Sequence, residues 1–507
     1  MDEFASVPEP LASGPARGSP TGAGLVVVSN RQPYRHDYAD DGSVDVDRPV
    51  GGLSEALDEV LRQNGGTWVA WGDGSADRDV ADGNRVVVPP DDPTYTLRRV
   101  WLTDRQVEDY YYGFSNQVLW PLCHSCVTKV RHEQGFWDRY RAANHRFAEA
   151  TVDAAGDGDV VWFQDYHLAL APRLVRSTSP ASRLIHFWHI PWPTQEVFEL
   201  CPHGEELLVG LLGNDLIGFH RPSYGTNFLE CVESLDGATV DWNARRVHYR
   251  GQTTRVGAFP LGVPVERIRQ KATDSGGSNP SSDVWSVLPG EPDLDDVRVA
   301  IGVDRLDYTK GILERLRGLE RLWESRPQWR EKLTYVQIAS ESRSRIPAYR
   351  EVQREVSDAV SRLNDRFATD DWQPVVFTTA TLPKEALCRC YRHSDVALVT
   401  PIKDGMNLVA QEYVAVNGDG QGALVLSKGA GAHDLLGDGA ITVTPFDVDE
   451  IASAINAALT MAPDERRERM LSMGRAVLEH DIGQWPSRVL QSVQSPDPPR
   501  PVRSYTS

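Results

Sequence analysis

The chain has 507 residues, of which 40% are hydrophobic, and its formal net charge at pH 7 is −19. A chain of this length exceeds a single compact core, so we expect two domains. The negative charge argues against a nucleic-acid-binding protein, because an acidic surface repels phosphates. No apolar run in the sequence approaches the roughly 20 residues that a membrane-spanning helix needs, so we expect no membrane partner.

The chain begins with a segment, residues 1–23, that is rich in Pro, Gly, Ser and Ala and lacks the apolar centre of a secretion signal. We interpret it as a disordered tail and expect a cytoplasmic protein. Short apolar runs then recur, each followed by helical periodicity, which is typical of parallel sheets in an α/β fold. These runs lie at 24–30, 159–165, 183–190, 215–220, 297–303, 333–339, 374–379, 396–401 and 422–427.

A stretch rich in Gly, Ser, Pro and Asp near the middle of the chain, residues 271–285, indicates a junction between two doubly wound halves. The expected order is a domain over 24–270, a linker over 271–290, a domain over 291–460, helices over 461–490 and a proline-rich tail over 491–507. In open α/β sheets, ligands bind beyond the carboxyl ends of the strands. The polar residues at such ends here are Asp165, His189, Arg305 and Asp404.

The stretch GVDRLDYTKG, residues 302–311, follows a predicted strand and ends at Gly311. It carries two permanent cations, Arg305 and Lys310. A sugar nucleotide leaves as a diphosphate, and without a metal its developing charge needs fixed cations and backbone N–H groups. We therefore interpret the stretch as a diphosphate site, and the alternative is a solvated surface loop.

A second stretch, TPIKDGMNLVAQEY over 400–413, follows the run VALVT. Its Asp-Gly turn is predicted to open a helix on residues 406–408, whose free N–H groups would hold an anion or sugar hydroxyls. Glu412 follows Asp404 by eight residues, just over two helical turns, so we expect both carboxylates on one side, with Glu412 accepting ribose hydroxyls. The alternative is a plain turn with a solvated Glu412.

Shorter motifs give weaker indications. RPVGGLSEAL places Gly51 and Gly52 before a helix without matching either glycine-rich phosphate-binding fingerprint, and a tight turn is an equal alternative. Asp165 in FQDYHL and His189 in HFWHIPWPT would position a hexose, although a lone histidine is more often structural.

Aromatic and basic residues add further candidates. YYYGFSNQVLWP offers flat rings that stack on sugars, although aromatic stripes more often belong to the core. Arg31 after VVVSN and Arg343 in ASESRSR would clamp an acceptor phosphate, or else lie in solvent. CHSC at 123–126 has C-x-x-C spacing but no second pair, so we favour reduced thiols over a metal or redox site.

Together these segments resemble the trehalose-6-phosphate synthases, which are retaining glycosyltransferases of the GT-B fold. The resemblance spans about residues 24–485 and rests on the ordered motifs SNR, GGL, FSNQVLWP, DYHL, HIPWP, RLDYTKG, SR…AY, DGMNLVAQEY and LVLSKGAGA. It implies two Rossmann-like domains that face a cleft, with the nucleotide sugar on the C-terminal half and glucose 6-phosphate mainly on the N-terminal half. The helices over 461–490 would cross back onto the first domain.

The resemblance also implies residue roles. The residues implied in catalysis are Asp165, His189, Arg305 and Lys310. Those implied in donor binding are Gly52, Arg305, Lys310, Asp404, Gly405, Met406, Asn407, Leu408, Val409 and Glu412. Those implied in binding the acceptor and its phosphate are Arg31, Tyr111, Trp120, Asp165 and Arg343. Retention would follow a front-face mechanism in which the leaving phosphate accepts the acceptor proton, so neither a metal nor another cofactor is expected.

The expected reaction transfers glucose from a nucleoside diphosphate glucose, with UDP-glucose preferred, to glucose 6-phosphate and gives α,α-trehalose 6-phosphate. Two segments, GTWVAW and GFHRPSYGTNF, are also similar to glucosylglycerol-phosphate synthases, which use glycerol 3-phosphate; His220 stands where trehalose-phosphate synthases often carry glutamine. Arg343 and the FSN segment favour glucose 6-phosphate. A catalytically inactive sugar-phosphate sensor is the third alternative. The donor base stays open among uracil, guanine and adenine, and so does the oligomeric state, a homo-oligomer included.

Overall fold

The structure is a computed structural model that describes residues 24–48, 52–273, 284–288, 292, 294 and 297–494. The predicted tail over 1–23, residues 274–283 of the predicted linker and residues 495–507 lie outside these ranges. At both predicted breaks a helix extends further than expected, to Thr273 and to Gln494. The expected domain limits themselves stay a prediction.

The described residues form eighteen strands. They are β1 (Leu25–Ser29), β2 (Arg35–Tyr38), β3 (Val44–Asp47), β4 (Thr67–Trp71), β5 (Arg85–Val88), β6 (Tyr95–Val100), β7 (Val160–Gln164), β8 (Arg183–Trp188), β9 (Leu216–Phe219), β10 (Ala238–Asp241), β11 (Arg246–Tyr249), β12 (Gln252–Ala258), β13 (Arg298–Arg305), β14 (Leu333–Ser340), β15 (Val375–Thr378), β16 (Val396–Val399), β17 (Ala423–Ser427) and β18 (Ile441–Val443).

The same residues form seventeen α-helices and one π-helix, Glu108–Leu119, between the second and third of them. The α-helices are α1 (Gly52–Asn64), α2 (Asp104–Val107), α3 (Trp120–Cys123), α4 (Gln134–Ala154), α5 (Ala171–Thr178), α6 (Gln195–Phe198), α7 (Gly204–Leu211), α8 (Pro222–Glu233), α9 (Val265–Thr273), α10 (Ile312–Ser325), α11 (Pro347–Phe367), α12 (Lys384–Arg392), α13 (Leu408–Asn417), α14 (His433–Leu436), α15 (Val448–Thr460), α16 (Pro463–Glu479) and α17 (Trp485–Gln494). None of the helices in the described ranges has the length and apolar character that crossing a membrane requires.

The first half is built on a ten-stranded sheet in the order β10-β11-β12-β9-β8-β7-β1-β4-β6-β5. Its six central strands, from β9 to β6, are all parallel. From β1 the chain adds β4 and β6 on one side and then β7, β8 and β9 on the other, which is the Rossmann order. The strand order therefore reverses between β1 and β7.

The second half repeats this order in a six-stranded parallel sheet, β15-β14-β13-β16-β17-β18. Here the order reverses between β13 and β16. Strands such as β1, β7, β16 and β17 are buried along their whole length, because helices cover both faces of each sheet. Each of the nine predicted apolar runs overlaps one of the parallel strands, and β13 and β14 extend beyond their runs, so the predicted α/β class with two doubly wound sheets is confirmed.

The chain crosses between the halves near Gly262 and again near His480. A Cβ atom at Gly262 would overlap the carbonyl oxygen of His480, so the two crossings touch backbone to backbone. After the second crossing, the Trp485 ring stacks on Trp162 with 5.0 Å between centroids, and its Nε1 donates to the Phe259 carbonyl at 3.1 Å. Helix α17 therefore completes the core of the first half.

Trp485→Ala is expected to lower the free energy of unfolding by about 3–5 kcal/mol, because the side chain, 2% exposed, would leave a cavity. Denaturant unfolding followed by circular dichroism measures the change. Leu478→Ala is the control, since that side chain is 50% exposed, and should change the value by less than about 0.5 kcal/mol. Equal stability of the two variants would contradict the packing role of Trp485.

Candidate active site

The carboxyl ends of the four strands at the two reversal points face one cleft. The residues that end or follow these strands are, in strand order, Arg31, Asp165, Arg305 and Asp404. Two contacts show that the ends of the two sheets meet. Gly405 of the second half packs on the carbonyl of His189, and the guanidinium of Arg305 lies over the Trp120 ring, 5.5 Å from its centroid.

Trp120 is the point where cations of the second half meet the first half. The residue follows the π-helix and is 5% exposed. The guanidinium carbon of Arg343 lies 4.1 Å from its ring centroid, in addition to Arg305 at 5.5 Å. The negative face of an indole ring attracts a cation, by about 2 kcal/mol where water is excluded. Trp120 therefore holds two of the predicted phosphate-binding cations side by side.

Arg305 has no hydrogen-bond or ion-pair partner among the residues that the structure describes, although it is partly buried. Lys310, which is 8% exposed, donates to the Asp404 carboxylate at 2.5 Å. Burial would raise the pKa of Asp404, but the Lys310 ammonium prevails and lowers it. Gly311 adopts a φ of 65° and leaves no room for a Cβ beside the Thr400 carbonyl, which brings this loop against the loop after β16. The Arg305 guanidinium and the Lys310 ammonium together form a candidate anion-binding site.

Arg343 is held more firmly than Arg305. Its guanidinium donates to the hydroxyls of Tyr349 at 2.6 Å and Tyr166 at 3.2 Å, and it lies 3.6 Å from the carboxylate of Asp307. Asp307 is 1% exposed. Burial would raise the pKa of Asp307, but the surrounding cations, Arg343 first among them, lower it. This buried carboxylate therefore stabilises the cations around it.

Tyr111 lies between two guanidiniums on the first-half side of the cleft. It belongs to the π-helix, in which the Asn116 amide donates to the Tyr111 carbonyl at 2.7 Å. Burial would raise the pKa of the Tyr111 hydroxyl, but Arg343 and Arg31, which both face it, lower the pKa to about 8. Since Tyr110 donates to Asn30 at 2.9 Å, the π-helix also fixes the loop that carries Arg31. The Tyr111 hydroxyl and the guanidiniums of Arg31 and Arg343 therefore form a second candidate anion-binding site.

The loop after β16 differs from the sequence-based expectation. Helix α13 begins at Leu408 and is capped by Asn407, which has a φ of 76° and a side chain that accepts from the backbone of Ala410 at 3.1 Å. A Cβ on Gly405 would overlap the His189 carbonyl, so the loop packs as non-helical backbone against the first half. The helix thus begins at the last of the residues 406–408 on which it was predicted to open, and Met406 precedes the cap.

Asp404 consequently precedes the helix, and the argument that placed it on one helical side with Glu412 was wrong. Glu412 forms an ion pair with Lys384 and accepts from the Tyr391 hydroxyl at 3.4 Å. The Met406 side chain belongs to the core of the second half, so Met406 offers a ligand its backbone alone. Val409, the next residue of α13 after Leu408, is partly buried.

Gly52 begins helix α1 on the opposite wall. A Cβ at this position would lie 3.4 Å from the Cδ1 atoms of Leu408 and Ile482. The start of α1 thus lies beside the start of α13, next to the loop predicted to bind the donor. Gly51 lies outside the described residues.

Asp165 and His189 are joined by a hydrogen bond from the His189 backbone N–H to the Asp165 carboxylate at 3.2 Å. Burial raises the pKa of Asp165 to about 6, despite the backbone N–H groups that donate to it. The His189 ring lies 2.8 Å from Gln164 Oε1 through Nε2 and 3.3 Å from His220 Nε2 through Nδ1. Both ring nitrogens are therefore engaged, which leaves the Asp165 carboxylate as the sugar-binding candidate of this pair.

Several residues of the site were not predicted individually. Asp307, Tyr166, His167 and Tyr349 lie inside the motifs RLDYTKG, DYHL and SR…AY, so their position next to predicted residues was the available signal. His167 stacks on the Tyr111 ring with 5.6 Å between centroids. Lys384, the partner of Glu412, carried no signal in the sequence.

The cysteines of CHSC, Cys123 and Cys126, are unpaired thiols. Within the described part of the chain, no group of three or more His, Cys, Asp and Glu side chains is arranged to hold a metal ion.

Comparison with known proteins places this geometry in a family. The sequence profile of Glycosyltransferase family 20 matches residues 23–495. The chain belongs to this family. Trehalose-6-phosphate synthase of Mycolicibacterium vanbaalenii is 39% identical over 493 residues, which are 96% of this chain and 99% of the relative. The enzyme of the same name from Mycobacterium avium is 38% identical over 499 residues, with coverage of 96% and 99%.

Solved structures agree with this assignment. A structure from Escherichia coli with bound UDP-2-fluoro glucose has a TM-score of 0.83 and 32% identity, and the match covers 94% of this chain and 100% of the other. The UDP-forming α,α-trehalose-phosphate synthase of Burkholderia xenovorans, in complex with glucose 6-phosphate, has a TM-score of 0.82 and 31% identity, with coverage of 93% and 100%. The predicted GT-B fold of this family 20 glycosyltransferase is thus confirmed.

Asp165→Asn is expected to raise the melting temperature at pH 7.5. The folded-state pKa of Asp165, about 6, lies above the ordinary value of 3.8, so its favourable contribution is complete below pH 3.8 and is lost as the pH rises through 6. Above pH 6 the wild type carries a buried charge that asparagine lacks. Thermal unfolding at pH 7.5 and pH 5 measures this difference, which should shrink at the lower pH. Asp236→Asn, at an exposed site, is the control and should show no such pH dependence.

Proposed function

We propose that this family 20 glycosyltransferase moves glucose from a nucleoside diphosphate glucose, with UDP-glucose preferred, to glucose 6-phosphate with retention, giving α,α-trehalose 6-phosphate. The observation that carries the proposal is that one cleft contains two candidate anion-binding sites. One guanidinium of each site, Arg305 and Arg343, lies over the ring of Trp120. This reaction brings two anions together, the diphosphate of the donor and the phosphate of the acceptor. The names of the relatives and solved structures described above support the same reaction.

The donor would occupy the second half. The diphosphate would lie on Arg305 and Lys310. The Arg305 side chain has no hydrogen-bond or ion-pair partner within the described residues, and Lys310 would exchange part of its contact with Asp404 for phosphate oxygens. The backbone from Asp404 to Val409 would hold phosphate and sugar hydroxyls at the start of α13. Glu412, now paired with Lys384, would accept the ribose hydroxyls. Gly52 would approach the diphosphate from the opposite wall.

The acceptor would occupy the first half. Its phosphate would lie between Arg31, Arg343 and the hydroxyl of Tyr111, and Trp120 would contact the sugar. Asp165 would accept a hydrogen bond from a sugar hydroxyl, since its carboxylate keeps acceptor capacity beside the backbone N–H groups that donate to it, whereas both ring nitrogens of His189 are engaged. A bidentate guanidinium contact suits a phosphate, because its donors form a rigid fork.

The transfer step then needs no protein nucleophile. The anomeric hydroxyl oxygen of glucose 6-phosphate forms a bond to C1 of the donor glucose while the bond from C1 to the diphosphate oxygen breaks. The proton of the attacking hydroxyl passes to the departing phosphate oxygen, and attack on the face that the diphosphate leaves gives retention. Arg305 and Lys310 stabilise the charge that develops on the diphosphate, which is the main contribution asked of the protein.

Glycerol 3-phosphate is the competing acceptor, and the sequence features in its favour were the segments GTWVAW and GFHRPSYGTNF, with His220 in the second as the residue that departs from the usual pattern. In the structure the His220 ring is buried and lies 3.3 Å from the His189 ring rather than among the residues around Tyr111. Its difference from glutamine therefore gives no support to a smaller acceptor. We also infer that the reaction takes place in the cytoplasm, because phosphorylated sugars are anions that do not cross a lipid bilayer unaided.

The proposal predicts that purified protein with UDP-glucose and glucose 6-phosphate releases one nucleoside diphosphate for each disaccharide phosphate formed. Parallel reactions with GDP-glucose or ADP-glucose, and with glycerol 3-phosphate as acceptor, measure the preference by mass spectrometry. Faster turnover with glycerol 3-phosphate would contradict the assigned acceptor. Binding of glucose 6-phosphate without turnover of any donor would indicate an inactive sensor instead.

Arg305→Ala is expected to lower kcat by about 10²–10³, the size of effect seen when one preorganised donor to a developing anion is removed. The melting temperature should change little, because the Arg305 side chain has no hydrogen-bond or ion-pair partner among the described residues. Loss of its contact with the Trp120 ring is offset by relief of its repulsion from the Arg343 guanidinium over the same ring. Arg317→Ala, an arginine of α10 with a side chain 62% exposed, is the control and should keep full activity. Near-normal turnover of the Arg305 variant would remove the proposed diphosphate contact.

A further inference from the structure

The segment His220–Tyr224, which follows β9 and includes the first residues of helix α8, has no role in the reaction proposed above. It belongs to the motif GFHRPSYGTNF, whose residue types separated this chain from the usual family pattern. The segment belongs to the first half, and its Arg221 and Tyr224 side chains extend across the cleft to the second half. Three of its side chains contact the donor loop, residues 404–407, or the groups packed against that loop.

Tyr224 makes the most direct of these contacts. Its hydroxyl donates to the backbone carbonyl of Asp404 at 3.1 Å, and the side chain is 3% exposed. Burial raises the pKa of Tyr224 to about 12, so the hydroxyl keeps its proton as a donor at neutral pH. The same carbonyl accepts from the Gly431 backbone at 3.1 Å, so Asp404 is held from both halves of the molecule.

Arg221 adds a second contact across the cleft. Its guanidinium forms a two-pronged ion pair with Asp434 of α14, with Nε donating at 2.7 Å, and lies 5.5 Å from the centroid of the Tyr224 ring. Its side chain is 21% exposed, so the pair is partly shielded from water. Arg221 thus holds both the Tyr224 ring and helix α14, which follows β17.

His220 completes the arrangement on the first-half side. Its ring contacts the His189 ring, whose other nitrogen contacts Gln164, so the turn at His189 is fixed by its neighbours. The carbonyl of His189 is the surface on which Gly405 packs without room for a Cβ. The donor loop therefore rests on two supports from the first half, the His189 carbonyl and the Tyr224 hydroxyl.

We propose that Tyr224 and Arg221 are positioning residues that hold the donor loop in register with the acceptor half. The inference rests on the proposed function. The side chains proposed to bind the diphosphate and the ribose, Lys310 and Glu412, are bonded to residues of the second half. Tyr224 contacts the donor loop at the Asp404 carbonyl, which is a hydrogen-bond acceptor and does not itself bind phosphate. Loss of the contacts should therefore affect the alignment of donor and acceptor more than donor binding. The signature is a fall in kcat with little change in the donor KM.

Tyr224→Phe tests the first contact, because it removes one hydroxyl and keeps the ring. We expect kcat to fall about fivefold, the size of one hydrogen bond, with the donor KM within about twofold of the wild type. Tyr413→Phe is the matched control, since the Tyr413 hydroxyl also donates to a backbone carbonyl, that of Ser394 at 3.3 Å, but within one half. The control should keep kcat. An unchanged kcat for Tyr224→Phe, or an equal loss in both variants, would overturn the inference.

Charge reversal tests the second contact. Arg221→Asp and Asp434→Arg should each lower kcat more than tenfold, because each places like charges across the cleft, and the double variant should recover to within about threefold of the wild type. Arg392 and Asp419 form a comparable two-pronged pair within the second half, at 2.8 and 2.7 Å, and the same single reversals there should spare kcat. A double variant that is folded by melting temperature but no more active than the single ones would overturn the role of the pair. A wild-type protein without turnover would contradict the proposed function instead.

Discussion

The balance of charge in the cleft is the constraint on which the rest of the site depends. The chain carries a formal net charge of −19, yet two pairs of cations, Arg305 with Lys310 and Arg343 with Arg31, lie in one cleft, and one guanidinium of each pair contacts the ring of Trp120. Like charges in a partly desolvated cleft repel each other, and the repulsion grows as water is removed. The aromatic face and the buried carboxylates of Asp307 and Asp404 offset part of it. The remaining positive charge is available to anionic ligands, which is why the site suits two phosphorylated substrates.

The fold brings the cations together because two sheets of the same strand order face each other with the carboxyl ends of their strands. Each sheet opens a crevice where its strand order reverses, and the site residues follow the strands that border the two crevices. Close backbone contact is needed to bring the crevices together. Gly405 against His189 and Gly262 against His480 supply it, since a Cβ at either glycine would overlap a carbonyl oxygen.

The sequence was informative where one local rule decides the structure. Continuous apolar runs predicted the buried parallel strands, because a strand covered by helices on both faces has no polar side. Strands β4 and β6 were missed, although both lie inside the parallel sheet. In β6 the burial alternates along YTLRRV, so its composition does not read as a buried strand. Polar residues at strand ends likewise identified the candidate site, because a parallel sheet gathers those ends at one edge.

The rest of the site depends on backbone geometry that no local pattern encodes. The π-helix over Glu108–Leu119 relies on side-chain amides that bond to carbonyls five residues earlier, as Asn116 and Gln117 do, and its period differs from the one sought in the sequence. The start of α13 depends on the left-handed conformation of Asn407, which in turn follows from the packing of Gly405 on the other half. The start of α13 thus depends on a contact between the two halves, so the position of Glu412 relative to Asp404 could not be predicted by counting helical turns from Asp404.

The two perturbed groups of the first half show how sharply the cleft is divided. Tyr111 and Asp165 are both shielded from water, and burial alone would raise the pKa of each. At Tyr111 the guanidiniums of Arg343 and Arg31 outweigh burial and lower the pKa to about 8. At Asp165 burial outweighs the same kind of cation and raises the pKa to about 6. Anion binding is therefore favoured at Tyr111, whereas the neighbourhood of Asp165 disfavours charge and favours neutral hydroxyls. In the reaction we propose, this difference would place the phosphate of the acceptor at Tyr111 and its sugar ring at Asp165.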